Sequence, residues 1–171
     1  MKWFIPCLLL VMAVVVIWSI PWLTTPICKH PLTNMSAKTI RLLTYNTYLL
    51  GKKSRRKRLR HFLNNYLNQF DVVCLQEAFY VTHKLKIIRS AKKMGFHFFA
   101  VSPFRYPIDS GLLILSRFPI VGTKFVPFHH KTHIDRFADK GILATTLWVN
   151  NQHIQLINTH TQAFYNVNDK K

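Results

Sequence analysis

Polar side chains at the ends of apolar runs are the residues of this sequence best suited to chemistry. Glu77, the only glutamate of the chain, follows the apolar run 72–75, and Asn46 interrupts an earlier one. Asn158 and His160 close a later run. A carboxylate and an amide oxygen are hard ligands that suit Mg²⁺, and a nearby histidine can hydrogen-bond a phosphate oxygen or transfer a proton. The set therefore indicates metal-assisted hydrolysis of a phosphodiester.

Each of these residues also has an ordinary structural interpretation. Asn46 suits a turn, and Glu77 suits the start of a following helix or a pairing with a lysine. His160 alone is more often a hydrogen-bonded structural residue. Asp139 and Lys140, which precede a glycine, indicate a hairpin turn when taken alone. Spacing by itself leaves both interpretations open.

Two strands and two helices are predicted in the region that carries Glu77. Residues 39–50 and 71–78 are rich in β-branched, aromatic and leucine residues and indicate strands. Apolar residues at helical spacing predict helices over 54–68 and 81–94, the second ending at Gly95. The residues predicted to be buried are Leu59, Phe62, Leu63, Tyr66 and Leu67 in the first helix and Leu85, Ile88 and Ala91 in the second.

Short strands separated by turn residues are predicted for the rest of the chain. Strand-like runs cover 96–102, 111–116, 142–149 and 154–160, and a proline-interrupted edge strand is indicated over 124–130. An order of β-α-β-α followed by strands predicts an α+β fold, in which helices cover a largely antiparallel sheet.

The N-terminus has the composition of a membrane segment. No charged residue interrupts 3–23, a run long enough to cross a bilayer. Its tryptophans lie near its two ends, where aromatic residues suit the membrane interface. We therefore predict a single-pass membrane anchor over 1–23 and a linker over 24–38. A cleaved signal peptide, which would give a secreted protein, is the alternative.

The charge of the chain favours polyanionic partners. Its 171 residues carry a formal net charge of +18, which attracts nucleic acid, anionic lipid or phosphate-bearing substrates. The densest basic block is 52–60, and we expect it to lie near anionic lipid, a solvated helix face being the other interpretation. The three cysteines form no disulfide framework. Nothing in the sequence implies an obligate oligomer.

Five ordered blocks between 39 and 163 resemble the endonuclease/exonuclease/phosphatase superfamily, which has the deoxyribonuclease I-like fold. The blocks are LLTYNTYLL, DVVCLQEAF, SGLLILSRFPI, DKGILATTL and IQLINTHTQA. Within the superfamily the chain looks most similar to the neutral sphingomyelinase branch, through SRFPI, ADKG and NTHTQA. The resemblance implies an incomplete domain over 39–171. That domain would be the N-terminal part of a four-layer α/β/β/α sandwich with largely antiparallel sheets.

The resemblance also implies roles for the polar residues. Glu77 would be the Mg²⁺ ligand, and Asn46 would lie beside the metal and the scissile phosphate. Asn158 and His160 would contact the phosphate, with His160 assisting the leaving group. The expected function is a Mg²⁺-dependent phosphodiester hydrolase acting on a membrane phospholipid, with sphingomyelin as the first candidate.

Asp139 and Lys140 match an Asp-Lys pair that, in the sphingomyelinase-like branch, helps to arrange the active site.

Two other functions are compatible with the same sequence. A nuclease of the same fold is one alternative function, because the charge favours nucleic acid. An inactive, membrane-anchored protein that binds anionic partners is the other.

Two later blocks of the superfamily, Gly-Asp-x-Asn and Ser-Asp-His, have no counterpart in the sequence. They carry the residue that orients the attacking water and the general base. A fragment of a longer chain, a truncated product and completion by a second polypeptide each explain the difference. We therefore expect residues 1–171 alone to have little or no hydrolase activity.

Overall fold

The computed structural model describes residues 37–49, 54–103, 109–129 and 138–161. Over these ranges, two helices, a four-stranded sheet and a three-stranded sheet form layers in the order α/β/β. The predicted α+β class is confirmed. The predicted anchor over 1–23 and most of the predicted linker lie outside the described residues. None of the helices in the described ranges is long and apolar enough to cross a bilayer.

The first sheet has the strand order β1-β2-β4-β3. Its strands are β1 (Leu42–Asn46), β2 (Val72–Gln76), β3 (Phe98–Val101) and β4 (Leu113–Ser116). The β1–β2 pair is parallel, and the other pairs are antiparallel. β1 is shorter than predicted because Tyr48 has a φ of 46°, a conformation that cannot continue a strand. The C-terminal ends of β1 and β2 meet at one edge, which we term the site edge.

Two helices cover one face of the first sheet. They are α1 (Arg55–Asn65) and α2 (Val81–Lys93), and a 3₁₀ turn (Leu67–Gln69) follows α1. The predicted burial of Tyr66 is wrong: it lies just after the last residue of α1, off the helical face, and is exposed. Leu85, predicted to be buried, is only half-buried, because Lys84 and Ile87 occupy the buried face there.

The second sheet is an antiparallel meander with the order β5-β6-β7. Its strands are β5 (Ile120–Pro127), β6 (Gly141–Val149) and β7 (Gln152–Thr159). The predicted proline-interrupted edge strand is β5, which begins earlier than predicted and ends at its proline. The turn between β6 and β7 consists of Asn150 and Asn151, whose φ values of 52° and 59° are those of a tight hairpin turn.

The core has two parts that meet across the first sheet. On the helical side, Phe62 and Ile87 pack against Leu75 and its neighbours. On the other side, Cys74 and Leu143 belong to a cluster between the two sheets. Successive residues of a strand point to opposite faces, so every residue of β2 is buried. The outer face of the second sheet has no such cover among the described residues.

One polar contact fixes where the chain enters the described fold. The backbone N–H of Ala37 donates to Oδ1 of Asn150, and Nδ2 of Asn150 donates to the Ala37 carbonyl, both at 2.8 Å. Asn150 lies in the β6–β7 hairpin turn, whereas the C-terminal end of β7 carries His160. The entering chain is therefore held at the end of β7 that is opposite to His160.

Candidate active site

Asn46 and Glu77 meet at the site edge. Asn46 is the last residue of β1 and pairs in register with Gln76, so Glu77 follows directly beside it. Nδ2 of Asn46 donates a hydrogen bond of 2.7 Å to Oε1 of Glu77. The Glu77 side chain is 15% exposed, which leaves its carboxylate partly open to solvent.

His160 reaches the same carboxylate from the second sheet. It follows the last residue of β7, and its Nε2 lies 3.4 Å from Oε1 of Glu77. With 26% of its side chain exposed, His160 also borders solvent. The structure thus brings together Asn46, Glu77 and His160 from three separate strands.

Asn158 ties the two sheets together just behind this cluster. Its Nδ2 donates to the carbonyls of Leu75 at 3.0 Å and Leu113 at 3.3 Å, and its Oδ1 accepts a 2.7 Å bond from Gln76. Asn158 is buried, and these bonds join β7 to β2 and β4. Its predicted contact with a phosphate stays a prediction.

Gln76 is a site residue that sequence reasoning missed. Its Nε2 donates to Oδ1 of Asn158 and, at 3.0 Å, to Oγ1 of Thr44, so it links three strands immediately before Glu77. The available signal was a polar residue at the end of an otherwise apolar run, where a buried amide needs partners.

Asp139 and Lys140 are buried beside the segment that carries His160. Nζ of Lys140 donates a 3.1 Å hydrogen bond to the carbonyl of Thr161, the residue after His160. This contact holds the chain where it leaves β7. Lys140 therefore contacts the chain one residue beyond His160, and its predicted role in arranging the active site stays a prediction.

The backbone at the site edge is strained. Glu77 has a φ of 56° and Tyr48 a φ of 46°, in the left-handed region that side chains with a Cβ rarely adopt. Each such residue costs roughly 1–3 kcal/mol and persists only where its surroundings hold it. At Tyr48, one holding contact is the 2.9 Å hydrogen bond from its N–H to Oδ1 of Asn46.

A buried ion pair, linked to the backbone of Glu77 through Gly111, was also missed from sequence. Nζ of Lys84 contacts Oδ2 of Asp109 at 2.7 Å, and the two side chains are 1% and 2% exposed. Burial raises the pKa of Asp109 and lowers the pKa of Lys84, while their mutual attraction opposes both shifts. The negative charge of Asp139 also raises the pKa of Asp109.

The donor chemistry at the site edge fits a magnesium ion. Among the described residues no cluster of three or more His, Cys, Asp and Glu side chains is present, so a site rich in protein ligands is not formed there. Mg²⁺ commonly takes one or two carboxylates and keeps several waters. Glu77, partly open to solvent and beside the amide of Asn46, satisfies that requirement.

Aromatic and basic side chains border the site edge. Tyr48 and Tyr80, 58% and 43% exposed, lie close in sequence to Asn46 and Glu77. The guanidinium groups of Arg58 and Arg55 lie 5.2 Å from the ring centres of Tyr48 and Tyr80, respectively. We refer to these four residues as the Tyr-Arg rim.

The fold and the strand-end site define a known class of protein. A sequence model of the endonuclease/exonuclease/phosphatase family matches residues 43–168. The chain belongs to the endonuclease/exonuclease/phosphatase family.

Within that class the chain is similar to sphingomyelinases. A sphingomyelinase of Dictyostelium discoideum is 31% identical over 115 residues, which cover 58% of this chain and 25% of the relative. A candidate neutral sphingomyelinase of Drosophila melanogaster is 32% identical over 114 residues, which cover 60% of this chain and 24% of the relative. The resemblance to the neutral sphingomyelinase branch is thereby confirmed.

Solved structures agree with the fold. A double mutant of beta toxin from Staphylococcus aureus, with bound magnesium ions, superposes with a TM-score of 0.65 at 23% identity. The match covers 72% of this chain and 50% of the toxin. The chain thus spans about a quarter of the length of the two sphingomyelinase relatives and half of the toxin.

Proposed function

We propose that the site edge belongs to a Mg²⁺-dependent phosphodiester hydrolase that acts on a membrane phospholipid, with sphingomyelin as the first candidate. The observation that carries the proposal is the convergence of Asn46 and His160 on one carboxylate oxygen of Glu77, at 2.7 Å and 3.4 Å. Family membership and the two sphingomyelinase relatives support the reaction class.

In this proposal Glu77 holds the metal. Its carboxylate lies within contact of both Asn46 and His160, and the beta toxin with bound magnesium supports the choice of ion. When bound, magnesium supplies Lewis-acid stabilisation of the charge that develops on the phosphoryl oxygens. Asn46 keeps the Glu77 carboxylate in place through its 2.7 Å hydrogen bond.

His160 contacts the scissile phosphate in this proposal. Its Nε2 faces the Glu77 carboxylate and its side chain is partly exposed, so it can reach a phosphate bound beside Glu77 and donate a proton to the leaving oxygen. Lys140, through the Thr161 carbonyl, fixes the backbone from which His160 projects. Asn158 contributes to the same placement by joining β7 to the first sheet.

The Tyr-Arg rim supports a lipid surface as the place of action. Tyrosine rings suit the interface between head groups and acyl chains, and each basic side chain near an anionic bilayer contributes roughly 1 kcal/mol to binding. Arg55 and Arg58 belong to the basic segment 52–60, and no acidic residue lies in the first turn of α1. A membrane anchor over 1–23, with a signal peptide as its alternative, belongs to the same proposal.

Replacing Glu77 with Gln in the full-length protein, meaning a chain that also carries the two later superfamily blocks, tests the proposal. Loss of the carboxylate should remove Mg²⁺ binding and lower turnover by about a hundredfold or more, the scale of a lost transition-state charge stabiliser. Asp71→Asn is the matched control, since Asp71 precedes the opposite end of β2 and pairs with Arg41. Unchanged Mg²⁺ uptake in Glu77→Gln, measured by calorimetry, would remove Glu77 from the mechanism.

A nuclease of the same fold is the second candidate, favoured by the net charge of +18. Turnover measured on sphingomyelin, phosphatidylcholine and plasmid DNA separates the two functions. Preference for either lipid supports the proposal, and preference for DNA supports the nuclease.

A further inference from the structure

The Lys84–Asp109 ion pair lies where a charge pair is costly. Both side chains are almost completely buried, and removing two charges from water carries a large desolvation penalty even when the charges meet. Lys84 projects from the first turn of α2, the helix that follows Glu77, and Asp109 lies just before β4. The pair therefore connects the helix after Glu77 to a neighbouring segment of the chain.

Asp109 uses its second oxygen to fix a glycine. While Oδ2 contacts Lys84, Oδ1 accepts a 2.7 Å hydrogen bond from the backbone N–H of Gly111. Ser110, which lies between Asp109 and Gly111, donates a hydrogen bond from its hydroxyl to Oγ of Ser102. The same hydroxyl oxygen accepts a hydrogen bond from the backbone N–H of Leu112. The short segment from Asp109 to Leu112 thus has a fixed conformation.

Gly111 lies directly against the backbone of Glu77. Its carbonyl accepts a 2.9 Å hydrogen bond from the N–H of Ala78. A Cβ at Gly111 would lie 3.0 Å from Cα of Glu77 and 2.9 Å from the Phe79 ring, so only glycine permits this approach. With a φ of +70°, Gly111 is also in the region that favours glycine.

We propose that the Lys84–Asp109 pair is a positioning element that holds the backbone of Glu77 in the conformation that directs its carboxylate toward Asn46 and His160. The chain of contacts runs from Lys84 to Asp109, to Gly111 and to the backbone on either side of the Glu77–Ala78 peptide. The inference rests on the proposed function of Glu77 as the metal ligand.

A stabilising role and a positioning role predict different outcomes when the Lys84–Asp109 ion pair is replaced. A buried ion pair that only stabilises a fold can often be exchanged for apolar residues of similar volume without loss. A pair that positions Glu77 cannot, because the exchange also removes the acceptor for the Gly111 N–H. Metal affinity therefore separates the two roles, since it depends on the placement of the ligand.

The experiment compares two double variants of the full-length protein. Lys84→Met/Asp109→Leu removes both charges and the acceptor, whereas Lys84→Met/Asp109→Asn removes both charges and retains a side-chain oxygen for Gly111. Leu147→Ala, in the core between the sheets near the hairpin end, is the control for a general loss of stability. Thermal unfolding reports the stability of each variant, and calorimetry with Mg²⁺ alone reports its affinity.

We expect Lys84→Met/Asp109→Leu to fold and to bind Mg²⁺ at least about tenfold more weakly than the wild type, the usual scale for residues that support a ligand. The Asn-containing variant should lie closer to the wild type, and Leu147→Ala should keep wild-type affinity. Wild-type affinity in a folded Lys84→Met/Asp109→Leu would overturn the inference and leave the pair a purely stabilising contact.

Gly111→Ala keeps the inference testable if that double variant does not fold. The added methyl group would press on Glu77 while the ion pair stays intact, so weaker Mg²⁺ binding is expected and wild-type affinity would contradict the inference. Failure of the proposed function has a different signature, in which the wild type takes up no Mg²⁺ or Glu77→Gln takes up as much.

Discussion

The strands that lead into the site edge are more deeply buried in the first sheet than in the second. Every residue of β2 and β4 is buried, because helices cover one face of the first sheet and the second sheet covers the other. In β6, buried residues alternate with partly exposed ones, and most of β7 is exposed. Glu77 therefore extends from a strand fixed on both faces, and His160 from a strand fixed on one.

The two sheets also differ in the contacts that hold the ends of their strands. Apolar side chains cover β2 on both faces, whereas the end of β7 is held by the side chains of Asn158 and Lys140. The strained backbone of Glu77 is the exception on the first sheet, and there the buried Lys84–Asp109 pair supplies the support. Glu77 and His160 thus each have a separate polar support.

The substitution with the largest expected effect, His160→Gln, tests what each sheet contributes to the reaction. His160→Gln should lower turnover of the full-length protein by about a hundredfold, on the scale of lost general acid catalysis. Its Mg²⁺ affinity should stay close to that of the wild type, because Glu77 remains in place. Calorimetry and turnover measured on the same preparations test this. A loss of Mg²⁺ affinity as large as that of Glu77→Gln would show that both sheets hold the metal.

One core substitution and one surface substitution test the difference in burial between the two sheets. Leu115→Ala, in the centre of the first sheet, should lower the free energy of unfolding by about 2–5 kcal/mol. Ile157→Ala, on the outer face of β7 where the side chain is 65% exposed, should change it by about 0.5 kcal/mol or less. Urea unfolding measures both. Equal losses would mean that another element covers the outer face of the second sheet.

The polar tie between the sheets should have an intermediate effect. Asn158→Ala removes three hydrogen bonds and leaves Gln76 without its partner in β7, at a cost of about 1–3 kcal/mol for the buried groups left unsatisfied. Gln155→Ala is the control, since Gln155 bonds Thr146 on the exposed face of the same strand. If the two variants unfold at the same urea concentration, Asn158 does not join the sheets in solution.

The smallest effect concerns the thiol between the sheets. Burial raises the pKa of Cys74 from 9.0 to about 12, so the folded state keeps the proton at pH values where the unfolded chain releases it. Stability should therefore fall as pH rises above 9.0, by about 1 kcal/mol at pH 10. Cys74→Ala should show a weaker decline over that range, measured by unfolding at pH 8 and pH 10. An identical decline in both proteins would contradict this assignment.

Periodicity and residue type were sufficient to predict most elements and to select Asn46, Glu77 and His160, which the structure brings together. Strand and helix positions follow from local patterns, and a polar residue closing an apolar run marks Glu77 and His160. Tertiary contacts decided the rest. A lysine in a helix is usually exposed to solvent. The burial of Lys84 is explained only by its partner Asp109, which is distant in sequence. Gln76 was missed for the same reason, because its partners come from other strands.

The two hydrogen bonds between Ala37 and Asn150 have a practical consequence for handling the protein. The eight residues of β7 separate that contact from His160 by about 26 Å of extended strand. Ala37 thus joins the described fold at the end of β7 opposite to His160. We therefore expect an immobilisation linker joined directly to Ala37 to leave the site edge facing the solution, which makes that position suitable for surface-capture measurements.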